Sequence, residues 1–364
     1  MDFRRILGLV ALIVLFMAAL WVYRVGEKPR PQAAAVPTGT PVQIASHLGL
    51  PPVPYPPDNP PTVETIALGK RLYYDPILSV DNTVSCASCH SPDHGFADDS
   101  PVSQGVQKKT GTRNSPTVLN SAFLETQFWD GRAPSLEKQA EGPVENPVEM
   151  AHTLKDVEQK LMADPSYRAE FAKAFGPGPI TYEMVEKAIA TFERTVISGN
   201  SPFDRWYYGK DEKALSPAAK RGFEVFNNPS KGNCAACHSV GERHALFTDH
   251  KFHNVGVGVK NEVALDVGRY AVTKNEADRG AFRTPTLRNI ALTPPYMHDG
   301  SLKTLKEVVD FYIGGGNSNP NRDPLIKPLD FLSGQERADL MTFLESLTGN
   351  IPEETKAPQQ KAEK

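Results

Sequence analysis

The stretch Ser85-Cys-Ala-Ser-Cys-His90, echoed by Asn233-Cys-Ala-Ala-Cys-His238, decides how this sequence is read. In each, two thiols three positions apart can form thioethers to the two vinyl groups of one haem. The histidine that follows then supplies an axial nitrogen to the iron. The chain has four cysteines, and these two motifs consume all of them: Cys86, Cys89, Cys234 and Cys237. None is left for a disulfide or a reactive thiol. A zinc site built from all four would leave His90 and His238 unexplained, and a thioredoxin-like redox pair would need a βαβ pattern that surrounds neither motif. Two covalently bound haem c groups are therefore expected, one on His90 and one on His238.

Outward from the motifs, the sequence repeats weakly. IALGKRLYYDP leads into the first and PAAKRGFEVFNNP into the second. Both read as a helix that stops at an Asx-Pro turn, and the second starts on Ser216 as N-cap with Pro217 at the first helical position. Val185, Ala188, Ile189, Phe192 and Val196 recur at helical spacing over 181–196. Thr304 with Glu307, and Ser333 with Glu336, form capping boxes before two further helices. Strand-like alternation is scarce. The expected fold is mainly α, with two cytochrome c-like haem domains packed together at 62–203 and 204–349.

The flanks read differently. Arg4 and Arg5 precede an apolar run from Ile6 to Val22. Residues 1–26 are expected to be an N-terminal transmembrane anchor, uncleaved, in the inner membrane, with the rest of the chain periplasmic; a cleaved signal leaving a soluble periplasmic protein is the alternative. Eleven prolines between Pro29 and Pro61 make 27–61 a Pro-rich linker, expected to be an extended spacer. The polar, lysine-rich stretch 350–364 is expected to be a disordered tail. A net charge of −3 offers nothing to nucleic acid.

Two haems alone do not make an enzyme. Electron transfer needs two closed irons, whereas catalysis needs one openable face with acid–base groups beside it. Here the stretches TRNSPTVLN (112–120), QFWDGRAPSLEKQAEGPVENPVEM (127–150) and FRTPTLRNIALTPPYMHDGSLKTL (282–305) resemble the bacterial di-haem cytochrome c peroxidase family, which includes MauG-like enzymes. The resemblance runs from about Ile66 to Gly349. It implies that Trp129 relays electrons between the haems and that Gln139 and Glu149 line the distal pocket of the peroxidatic haem, on His90. It also implies that Asn114, Thr293 and Pro295 hold a calcium ion between the domains, an oxygen set that suits that cation.

Two departures from the pattern matter. The family's peroxidases have a capping histidine after the first haem motif, and Val106 stands in its place; His94 is four residues from His90, too near to reach the opposite face. The second iron's distal ligand is methionine in those peroxidases and tyrosine in the MauG-like enzymes, and Tyr312 stands at that position. Met297, His244, His250 and His253 are competitors, although His253 resembles a family pocket residue that is not a ligand. The function implied is a peroxidase that reduces hydrogen peroxide with electrons from a small cytochrome c or copper protein. The alternatives are a MauG-like oxidase that acts on a partner protein or small molecule, and a plain electron-transfer cytochrome.

Overall fold

Each haem motif is preceded by a helix that crosses a partner helix at a glycine. A computed structural model of the protein describes residues 35–357. In the first half, α1 (Val63–Tyr74) is capped by Thr62, whose hydroxyl accepts from the Thr65 amide, and it ends at Asp75. It crosses α5 (Tyr182–Glu193) at Gly69, where an added Cβ would lie 1.9 Å from the Ala188 carbonyl oxygen and 2.9 Å from Phe192 Cβ. In the second half, α7 (Pro217–Asn227), capped by Ser216, crosses α10 (Gly334–Glu345) at Gly222. There the Cβ would meet the Asp339 carbonyl oxygen at 2.0 Å and Phe343 Cβ at 2.8 Å. The repeat in the sequence is thus a repeated helix crossing. Its absent side chains let two backbones meet.

Between α1 and α5 run α2 (Leu136–Glu145), α3 (Leu154–Ala163) and α4 (Pro165–Phe175). The short α6 (Pro202–Tyr207) leads into the second half, α8 (Tyr270–Thr273) lies in its long loops, and α9 (Leu305–Ile313) starts on the Thr304–Glu307 box. The strands are two-residue pieces: β1 (Phe252–His253) pairs antiparallel with β4 (Phe282–Arg283), and β2 (Val259–Lys260) with β3 (Val263–Ala264). Two aromatic cores result. One gathers Tyr73, Phe96, Phe192 and Val196 against Cys86. The other gathers Phe203, Phe226, Phe247 and Phe343 against Cys234. The architecture is two mostly helical cytochrome c-like halves, as expected.

The flanks are described only in part. The apolar run Ile6–Val22, expected as an anchor, lies outside the described residues; no helix among the described residues is long and apolar enough to cross a membrane. The proline-rich stretch is no free spacer over its described part, because the chain from Val36 onward belongs to one compact unit. Its carbonyls accept what its prolines cannot donate: Gly49 takes the Ala245 amide and Arg288 Nη2 (2.6 Å), and Pro54 takes Arg194 Nε (3.1 Å). Asn59, fully buried, donates to Glu137 and to the Lys187 carbonyl. Prolines at fixed φ lose little entropy on docking, which is why a segment poor in apolar side chains can still lie down. Likewise, 350–357 of the expected tail docks on the first half. Tyr74 donates to the Thr355 carbonyl (2.8 Å), Lys70 donates to that of Glu354 (2.6 Å), and Ile351 joins the first aromatic core.

Candidate haem sites and the junction between them

Cys86–Ser88 and Cys234–Ala236 each form a single 3₁₀ turn, and the amides of His90 and His238 fold back on the carbonyls of Cys86 (3.0 Å) and Cys234 (2.9 Å). All four thiols are free and partly buried. The His90 carbonyl is held by the Tyr73 hydroxyl (2.7 Å). His238 Nδ1 faces the Phe247 carbonyl at 2.9 Å. That oxygen can only accept, so Nδ1 carries the proton and Nε2 is the nitrogen available to a metal. Burial lowers the pKa of both histidines and keeps them in the neutral form that iron requires. His90 Nδ1 is buried without a hydrogen-bond partner. These donor sets fit two covalently attached haems.

At the first motif, burial raises the pKa of the Cys89 thiol, and the charges of Asp98 and Glu149 push the same way. Asn146, just past α2, donates to Glu149 Oε1 at 2.6 Å, and the amide of Val106 donates to the Glu149 carbonyl at 2.8 Å. Gly105 has to be glycine for that approach, since a Cβ would stand 2.1 Å from the Val148 carbonyl oxygen. Burial raises the Glu149 pKa, partly opposed by Asn146 and the charge of Arg132. The buried Val106 thus sits next to Glu149, with no imidazole at that position. Gln139 lies half-buried on α2.

At the second motif, Tyr312 near the end of α9 lies close to Cys234 and Cys237, and its pKa is raised, first by burial and then by those sulfurs. Its hydroxyl makes no hydrogen bond among the described residues. His253 is placed differently. Its Nδ1 meets Asp323 Oδ2 at 2.6 Å and its Nε2 meets Asp249 Oδ2 at 3.0 Å. Both partners only accept, so both ring nitrogens carry protons and neither can bind a metal. The neighbouring Cys237 sulfur and the two carboxylates push His253 up to about 10 against burial. Cys237, Asp249 and His253 lie within 4.8 Å of one another, a grouping that the sequence did not reveal because Asp249 and Asp323 carry no motif of their own.

Trp129 sits at the junction of the halves. Its indole N–H donates to the Asn114 carbonyl (2.8 Å), its own carbonyl accepts the Arg283 amide (2.8 Å), and its ring meets His298 edge-on at 6.5 Å. His298 stacks on Phe282 with centroids 3.6 Å apart. It was missed in the sequence although it directly follows Met297. The Asn114 amide donates to the His298 carbonyl (2.8 Å), which ties Asn114 to the loop carrying Thr293 and Pro295, and Asn114 Nδ2 donates to the Ser100 carbonyl (3.1 Å). Arg113 clasps Asp130 and Asp266 across the same seam.

Comparison with known proteins shows which family the chain resembles. A family model described as di-haem cytochrome c peroxidase matches residues 63–212, and one described as cytochrome c matches 219–348. The methylamine utilization protein MauG of Methylorubrum extorquens is 45% identical over 296 residues, covering 81% of each chain. The cytochrome c551 peroxidase of Nitrosomonas europaea is 38% identical over 298 residues, covering 81% of this chain and 83% of that one. The crystal structure of a MauG-like protein associated with microbial copper homeostasis superimposes with a TM-score of 0.76 at 34% identity, covering 83% of this chain and 94% of that one.

Proposed function

The chain belongs to the di-haem cytochrome c peroxidase family and is an oxidoreductase, and on that premise we propose that it reduces hydrogen peroxide to water at the first haem site with electrons from a small periplasmic cytochrome c or copper protein. The reaction consumes two electrons and two protons per peroxide and yields two waters. When bound, each haem c supplies an iron that exchanges one electron, which suits a two-electron acceptor. The observation that carries the reading is the half-buried carboxyl of Glu149, held at one oxygen by Asn146 beside the first motif. Its raised pKa brings it nearer neutrality, where a carboxyl can take a proton from one peroxide oxygen and return it to the leaving one. Gln139, from the same wall, orients the peroxide through its amide. Trp129, bridging Asn114 and His298, passes electrons between the halves. Asn114, Thr293 and Pro295 hold a calcium ion that fixes this junction. Val106 leaves the first site without an imidazole cap, so the oxidised protein reacts without prior reduction. A periplasmic location fits the compartment in which thioethers to haem are formed.

Replacing Glu149 by Gln keeps the size and the Asn146 bond but removes the proton carrier. Peroxide turnover should fall by ~10²–10⁴ with both haems retained. An unchanged rate would remove Glu149 from the mechanism.

Tyr312 favours a second reading, a MauG-like oxidase. A phenol oxygen with no hydrogen bond among the described residues, next to Cys234 and Cys237, is a candidate sixth ligand, and an anionic oxygen favours the oxidised iron more than methionine does. Tyr312→Met should then raise one of the two reduction potentials. Potentials equal to those of the parent would show that the phenol is no ligand.

A further inference from the structure

Among the described residues, three arginines are almost wholly buried: Arg194, Arg283 and Arg288. Two of them explain themselves. Arg194 pairs with Glu137 at 2.7 Å and Arg288 with Asp204 at 2.8 Å. Arg283 has no carboxylate among the described residues. Its Nε is buried without any partner, and its one side-chain bond is a long 3.4 Å contact from Nη1 to the Thr284 carbonyl. Leaving a buried cation in that state is strongly unfavourable. A fold keeps such a group where an anion completes it.

Its neighbourhood says which anion. Arg283 stands opposite Phe252 in the β1–β4 ladder, so both side chains leave on one face. The Phe252 ring lies against Gly131, two residues from Trp129, with the Arg269 guanidinium 4.3 Å over it. Arg269 itself is satisfied by the carbonyls of Asp130 and Gly131. His250 approaches closely enough to feel the charge of Arg283, and its buried Nδ1 also has no partner. The other charges that reach His250 are Glu125 and Asp249; Asp249 is bonded to His253. The same stretch carries the second haem's support: Phe247 holds His238, Thr248 donates to the Thr284 carbonyl (2.7 Å), and the Thr284 amide donates to Lys251 (2.9 Å). Two orphaned basic groups thus face the junction from the wall of the second site. A haem brings two carboxylates of its own.

We propose that Arg283 and His250 form a carboxylate-binding site for a propionate of the haem attached at Cys234 and Cys237, holding that haem's edge toward Trp129. The inference rests on the di-haem reading above. Arg283 is a positioning residue: its guanidinium can clasp both oxygens of a planar carboxylate, and burial lowers its pKa only to about 10, so it stays charged at neutral pH.

The test is the midpoint potential of each haem in the full chain, measured between pH 5 and 8.5 for the wild type, Arg283→Gln and Arg283→Lys. Losing the cation leaves a buried propionate free to titrate. In Arg283→Gln the second haem's potential should therefore fall below wild type at the alkaline end and converge with it at the acid end. The first haem should keep its profile, and Arg283→Lys should restore the wild-type one. Covalent haem content, counted after denaturation, should remain two per chain in every variant. A glutamine profile that superimposes on wild type, or a new slope on the first haem alone, overturns the proposal. Should Arg283→Gln fail to fold, His250→Gln, a half-exposed position, gives the same measurement: a shift confined to the second haem upholds the site, and no shift overturns it. Should the wild type not turn over peroxide while the new slope appears, the peroxidase reading fails and the propionate site stands.

Discussion

Glu193, at the end of α5, has a carboxyl oxygen, Oε2, that is buried without a hydrogen-bond partner. Burial pushes its pKa up to about 8, with Arg194 pulling down and Glu137 pushing up. The folded pKa lies above the ordinary 4.5. Between those values the folded chain holds a proton that the unfolded chain has released. This contribution to stability is full below about pH 4.5 and is lost as the pH climbs through about 8. Glu193→Gln keeps the neutral shape at every pH. It should remove part of this slope, at most about 1.4 kcal/mol per pH unit for one proton, and make the variant more stable than wild type at pH 8.5. Urea unfolding at pH 5.5 and 8.5 checks it; equal slopes for the two chains would mean that Glu193 is already ionised in the fold. At this scale the sequence was legible where chemistry imposes a spacing, as with Cys86, Cys89 and His90. It was silent where partners meet only through the fold. Nothing near Arg283, His298 or Asp323 in the chain announces their surroundings.

Gly69 and Gly222 show what the helices gain by omitting a side chain. Alanine is the better helix former by about 1 kcal/mol, so propensity alone favours Gly222→Ala. The crossing opposes it. The new Cβ would lie 2.0 Å from the Asp339 carbonyl oxygen and 2.8 Å from Phe343 Cβ, and backbone cannot step aside cheaply. Overpacking of this kind costs about 1–3 kcal/mol, so the variant should unfold at a temperature several degrees lower. A variant as stable as its parent would show that α7 and α10 are free to separate. Helix starts were well legible, because caps are local chemistry: Ser216, Thr304 and Ser333 all accept from the amide expected of them. The helix expected over 181–196 is shorter, closing at Glu193 with Arg194 as its C-cap. The crossings themselves were not legible, since a glycine in a helix reads as a weak point until its neighbour is known.

Across the whole molecule, the proline-rich stretch works as a strap. It reaches the second half at Gly49, beside the Arg288–Asp204 pair, and the first half at Pro54 and Asn59. Composition suggested an extended spacer because prolines bring neither amides nor much apolar surface. The carbonyls that dock it are invisible in a composition. Arg288→Met would leave the buried Asp204 without its cation, held only by the Ser201 amide and hydroxyl, at a cost of about 3–5 kcal/mol, and should loosen the strap as well. Denaturant unfolding measures the first effect and proteolysis near residues 47–50 the second; a variant of wild-type stability would show that the pair contributes nothing net. The strap and the seam of Arg113, Asp130 and Asp266 hold the two motifs in one body. Such a body suits a reaction that draws two electrons through one site. The most direct measurement is the stoichiometry of steady-state turnover: full-length oxidised protein, not previously reduced, is mixed with excess reduced small cytochrome c, and peroxide is added in known amounts. The account predicts sustained turnover that oxidises two donors for each peroxide consumed. Peroxide consumed without donor oxidation, or no reaction until the protein is first reduced, would contradict it.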